Sequence, residues 1–194
     1  MNQRRQVRPW VPGDLAAQRM VNATIELLRE RRFSDVSTRE IADRAGLYKQ
    51  LISRHFGSLD GLFIDVVHEL LVRGLGGFDG TQASLEASRE DLEMRSRLIA
   101  WLVTSGVDPL SIVPEADQDM FRELMQSRVP ALATDIPERA TNALSSIVGL
   151  LNQARAVFVP TIHGVTPQDA DDVQMLLAYL LNHLGDAAEQ FGWK

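Results

Sequence analysis

Residues 37–56, STREIADRAGLYKQLISRHF, read as two short helices joined by a glycine turn. The first opens on Ser37-Thr38-Arg39-Glu40, a capping-box pattern: Ser37 accepts from the third helical N–H while Glu40 reaches back to the cap. Ile41, Ala42 and Ala45 then fall on one helical face. Gly46 stands where the chain must leave the helix, at a position that favours positive φ. In the second helix Ile52 and Phe56 point inward at i, i+4, which leaves Lys49, Gln50, Ser53 and Arg54 outward. An exposed helix bearing a cation, an amide and a hydroxyl has the donors and acceptors that a DNA major groove reads. Any small αα-hairpin with a solvated face has the same outline. The flanking sequence decides between them.

Those flanks carry a resemblance. An amphipathic segment with Met20, Ala23, Thr24, Ile25, Leu27 and Leu28 precedes Arg32-Phe33-Ser34-Asp35-Val36-Ser37-Thr38. After these come Glu40-Ile41-Ala42, Ala45-Gly46, Arg54-His55-Phe56-Gly57-Ser58 and Leu62. From about Leu15 to Arg73 the chain resembles the DNA-binding domain of the TetR family of transcriptional regulators. The combination is far more specific than a bare helix-turn-helix and covers about a third of the chain. It implies Thr38, Arg39, Tyr48, Lys49, Gln50, Ser53, Arg54 and His55 as DNA-contacting residues. Three positions depart from the family's habit. Tyr48 stands where a small residue commonly opens the recognition helix, and Ser53 where a tyrosine is common. Leu59 stands where a lysine usually touches phosphate. The first two alter which bases are read, and the third removes one backbone contact.

The net charge of −6 argues against nucleic acid until the chain is divided. Residues 1–57 hold 11 Lys and Arg against 6 Asp and Glu, a surplus of +5, and the remainder carries −11. A basic end on an acidic body turns that end toward phosphate. Lys49 and Lys194 are the only lysines, so the cationic charge is almost all guanidinium, suited to bidentate phosphate and guanine contacts. Arg4, Arg5 and Arg8 precede Pro9, Pro12 and Gly13 in an arm that either follows the DNA or is a solvated tail.

Aromatic content is 6% and β-branched runs bounded by turns are few, so an all-α fold is expected. The expected organisation is a three-helix DNA-binding domain with its helix-turn-helix over residues 14–73. A helical effector-binding and dimerisation domain follows over residues 81–194. Asp14 is expected as N-cap of a first helix running to Arg31, and Ser58 as N-cap of a fourth helix. Gly74-Leu75-Gly76-Gly77-Phe78-Asp79-Gly80 is expected to end that helix and serve as a connector. No strand is expected before the run, and the dinucleotide-binding spacing fails at Asp79. Beyond it, Leu85, Leu92, Ile99 and Leu102 share a face of one helix, and Asp108-Pro109 opens a short one.

The last two expected helices are apolar over more than one face. In the family such helices form a four-helix interface between two subunits, which implies Leu144, Ile147, Leu151, Val173, Leu177, Leu180 and Leu184 as homodimer contacts. Met94, Trp101, Phe121, Met125, Asn152, Arg155 and Phe158 are candidates to line a pocket for a small apolar effector, as is Leu150. Asn152 and Arg155 fit a polar anchor and a dimer surface equally well.

Catalytic chemistry is poorly represented. The chain has no cysteine, which excludes disulfides and thiolate sites and suits a reducing cytoplasm. His55, His68, His163 and His183 make no metal-ligand spacing, and no carboxylate pair stands out as acid and base. No cofactor, metal or enzymatic activity is expected, and no apolar run is long enough to cross a bilayer. The sequence thus points to a ligand-responsive DNA-binding regulator, a repressor by the family's habit, that binds a palindromic operator as a dimer. The rival reading is a small-molecule-binding or scaffolding helical dimer that has lost operator binding, suggested by Tyr48, Ser53 and Leu59.

Overall fold

The computed structural model describes residues 12–77 and 82–113, with single positions beyond at 119, 123, 146, 150, 154, 156, 157, 169, 172, 190 and 192. Among the described residues there are helices and no strands. The order is α1 (Gly13–Glu30), a 3-10 turn (Phe33–Asp35), α2 (Thr38–Ala45), α3 (Gln50–Phe56), α4 (Leu59–Gly76), α5 (Gln82–Thr104) and α6 (Pro109–Ile112).

The all-α expectation holds, with shifts at the helix ends. Helix α1 begins one residue before Asp14, with Pro12 at the cap position and no side-chain cap bond. Asp14 instead lies in the first turn, where its negative charge opposes the helix dipole favourably. Helix α4 runs through Gly74 and Leu75, both buried, to Gly76. The front of the glycine run is therefore packed helix, because α4 has a neighbour to cover it there; Phe78, Asp79 and Gly80 fall outside the described residues. Asp108 caps α6 by accepting from Leu110 N–H at 3.1 Å, with Pro109 at the first helical position.

One core runs through all of these helices. Met20 and Ile25 of α1, Ile41 of α2, Ile52 of α3 and Leu62, Phe63, Val66 and Leu70 of α4 are buried together with Met94, Leu98 and Leu102 of α5 and Ile112 of α6. Polar ties cross the same seams. Arg73 of α4 donates to Asn22 of α1 at 2.6 Å, and Arg95 of α5 donates to the Val67 carbonyl of α4 at 3.2 Å. Arg29 of α1 pairs with Asp91 and Glu90 of α5 at 2.6 and 3.2 Å. The joint is completed by Trp101 of α5, whose ring meets Phe63 and Phe33 edge-on at centroid distances of 5.5 and 6.3 Å.

Of the residues suggested as pocket lining, Met94 and Trp101 thus pack toward α1–α4, with Met94 buried in the core. Leu150 is 67% exposed in the single chain, a correction to its reading as cavity lining. Phe121, Met125, Asn152, Arg155 and Phe158 lie outside the described residues, as do all seven leucines, isoleucines and valines expected at the dimer interface.

Phe63 has no exposed surface and sits where α4, α5 and the 3-10 turn meet. Phe63→Ala should cost about 3–5 kcal/mol of stability, the range for emptying a packed aromatic site. Urea unfolding measures it, and a loss below about 1 kcal/mol would mean that the site collapses freely or is not packed as described.

Candidate DNA interface

The helix-turn-helix is built from local chemistry that can be followed atom by atom. Ser37 has extended backbone (φ −109°, ψ 153°), and its Oγ accepts from the Glu40 N–H at 3.3 Å. Glu40 Oε2 accepts from the Ser37 N–H at 3.1 Å and from the Ser37 hydroxyl at 2.8 Å, closing the expected capping box. Arg31 also pairs with Glu40. The Ser37 hydroxyl first, then the Ser37 N–H and the Arg31 charge, hold the Glu40 carboxyl below its usual range.

At the other end of α2, Gly46 has left-handed backbone (φ 69°, ψ 28°). Its N–H reaches the Asp43 carbonyl at 3.2 Å while the Leu47 N–H reaches the Ala42 carbonyl at 2.8 Å, a Schellman closure. Leu47 is buried behind it, so the turn is fixed by both its hydrogen bonds and an apolar plug. Arg44 straps α2 to α1, donating to both oxygens of Glu30 at 2.9 and 2.8 Å and to Glu26 at 3.3 Å. These carboxylates raise the Arg44 pKa further, and Arg44 in turn lowers that of Glu30.

Helix α3 begins at Gln50, two residues later than a helix opened by Tyr48 would. Tyr48 and Lys49 form a tight lead-in turn, in which their carbonyls accept from Leu51 and Ile52 at 3.0 Å each. Ile52 is buried and Phe56 is half-buried, as the inward face requires. Arg54 and His55 lie in the last turn, where cations suit the helix dipole. Ser58 caps α4 through Gly61 N–H at 2.9 Å. A Cβ at Gly61 would lie 2.0 Å from the Phe56 carbonyl oxygen, so only glycine lets α4 start this close to the end of α3.

The candidate contact residues fall on one exposed sweep of α2, the turn and α3. Arg39, Tyr48, Lys49, Gln50, Ser53, Arg54 and His55 are exposed, and Thr38 is half-buried. Arg39 touches Asp43 at 3.9 Å, a long, solvated pair. Leu59 behaves differently: it is half-buried and leans on the core. Sequence reasoning missed the Arg44 strap, the Gly61 contact and the Trp101 joint. The strap and the joint depend on residues far apart in the chain and the Gly61 contact on how closely α4 follows α3, and neither helical periodicity nor a local motif signals them.

No group of His, Asp or Glu among the described residues is arranged to hold a metal ion, and no described helix is long and apolar enough to cross a membrane. The surface offered is a cationic and amide-bearing helix braced from behind, a shape suited to phosphate and base edges.

Ser37→Ala should cost about 1 kcal/mol, the usual value of an N-cap hydroxyl. Folding lowers the Glu40 pKa, so the stability this carboxylate adds is complete above its unfolded value and is lost as pH falls through the lowered one. Glu40→Gln should therefore shrink the stability difference between neutral and acidic buffer, read by urea unfolding at both. An unchanged acid dependence would remove Glu40 from the account.

Residues 21–66 match the family described as bacterial regulatory proteins, tetR family. No curated protein matches the chain in sequence. Among solved structures, a TetR transcriptional regulator from Rhodococcus sp. RHA1 is similar, with a TM-score of 0.61 and 23% identity over 87% of this chain and 96% of that one. The TetR family repressor AlkX from Dietzia sp. strain DQ12-45-1b, implicated in biodegradation of n-alkanes, has a TM-score of 0.61 and 15% identity over 87% of this chain and 97% of that one. The N-terminal helices thus match the tetR family of bacterial regulatory proteins over residues 21–66, and the chain shares the fold of these two solved regulators.

Proposed function

We propose that this protein is a DNA-binding transcriptional regulator, a dimeric repressor whose two α3 helices read the halves of a palindromic operator. The observation that carries the reading is the exposed sweep of Tyr48 and Lys49 in the lead-in turn and Gln50, Ser53 and Arg54 on α3, behind an α2 fixed by the capping box, the Gly46 turn and the Arg44 strap. The match of residues 21–66 to the tetR family supports it, as does the +5 charge surplus of residues 1–57. In this reading residues 14–73 bind DNA, and residues 81–194 bind a small apolar effector and the second subunit. The effector changes DNA affinity only by preferring one of two conformations. The protein is not an enzyme in this reading, needs no cofactor, and works in the cytoplasm.

Lys49 stands at the lead-in to α3, with its side chain in solvent. Lys49→Ala should cost about 1–3 kcal/mol of operator binding and relax the preference at one base position per half-site. Competition binding with operators varied at single base pairs measures both quantities. Unchanged affinity together with unchanged preference would remove Lys49 from the groove.

Binding should weaken steeply with salt, by roughly 10³ to 10⁵-fold between about 50 and 200 mM if 6–10 phosphates are contacted. Leu59 is the first residue of α4, and a lysine there can lay its stem over the same apolar surface and keep its ammonium in water. Leu59→Lys should steepen the salt slope by about 0.9 for each phosphate contact it adds, with sequence preference unchanged. An unchanged slope would mean that position 59 does not face the DNA backbone. Failure of the native protein to bind any operator at low salt would favour the rival reading of a helical dimer without DNA binding.

A further inference from the structure

A cleft of about 510 Å³ lies between the end of α1, the segment leading to the 3-10 turn, and α5. Its floor is apolar. Leu28 and Met94 are buried there, and Phe33 is half-buried with its ring edge-on to Trp101. Its rim carries Arg29, Arg31, Arg32 and Arg97 against Glu30 and Glu90.

Most of these charges are already committed. Arg29 pairs with Glu90 and Asp91, Arg31 with Glu40, and Glu30 with Arg44. Arg32 and Arg97 are the exceptions. Both are exposed, and among the described residues neither meets a carboxylate; Arg97 reaches only the Glu93 carbonyl, at 3.4 Å. An apolar floor with two guanidinium groups at its edge that meet no carboxylate among the described residues matches one ligand chemistry. The volume is within the range of small-molecule sites, which combine apolar walls with a few orienting polar groups. A guanidinium fork pairs with a carboxylate through two parallel hydrogen bonds and repels a cation.

We propose that this cleft binds a small amphipathic carboxylate, with its apolar body on Leu28, Phe33 and Met94 and its charge on Arg32 and Arg97. The site joins the helix-turn-helix domain to α5, so its occupant touches Phe33 on one side and Met94 on the other. It shares Met94 with the residues suggested to line an effector pocket, and its test does not involve DNA, so its failure leaves the DNA-binding reading untouched.

The test is calorimetric titration of the full chain with decanoate, decanol and decylamine, which share a tail and differ in charge. Decanoate should bind at least about tenfold more tightly than decanol, and decylamine should bind more weakly than either. In the R32Q/R97Q double variant decanoate should fall to the level of decanol, whose own affinity stays unchanged. R32K/R97K should recover part of the loss, because charge is kept while the fork is not. Absence of decanoate binding would overturn the proposal. So would equal binding of decanoate to the native protein and R32Q/R97Q, which would place the ligand elsewhere in the helical body. A parallel loss of decanol binding in R32Q/R97Q would also overturn it, since the arginines would then be shaping the cleft rather than pairing with charge.

Discussion

Helix α4 carries Leu62, Phe63, Val66, Val67 and Leu70, none with any exposed surface, and Leu71 and Leu75 nearly so. Their arc around the helix is too broad for one neighbouring helix to cover. That burial demand organises the described part of the molecule. Helices α1 and α3 cover one part of the arc, α5 and α6 another, and the hydrophobic free energy of both halves depends on α4 staying where it is. Ser58 fixes where it begins, and the Gly61 contact with the Phe56 carbonyl fixes how close it lies to α3.

The consequence for function is mechanical. Packed cores shift between discrete arrangements rather than deforming smoothly. A displacement of α5 would carry Trp101 with it and meet Phe63 and Phe33, and through Arg29 it would pull on the end of α1. Helix α1 is in turn strapped to α2 by Arg44. Any ligand that distinguishes two positions of α5 therefore has a physical route to the α2–α3 pair, without touching it.

Much of this was legible in residues 37–56. The capping box, the left-handed Gly46 and the inward Ile52 are set by interactions within a few residues, and local sequence specifies them. The helix ends were less legible. Asp14 is a better cap than Pro12 by residue type, yet α1 starts at Gly13, and α4 continues through Gly74 because Leu92 of α5 packs over it. The long-range pieces were hidden. Trp101 was read as possible pocket lining because an aromatic on a helix does not announce its partner, and Phe33 and Phe63 lie far from it in sequence. The cleft near Arg32 was invisible for the same reason, since its walls come from α1 and α5.

The claim on which the account rests is that α3 reads DNA as one of a symmetric pair. Hydroxyl-radical footprinting on the DNA flanking this protein's own gene tests it most directly. The account predicts two protected patches related by a dyad, with centres one helical turn of about 10 base pairs, or a whole multiple of it, apart. A single unpaired patch, or no protection at a salt concentration as low as about 50 mM, would contradict it.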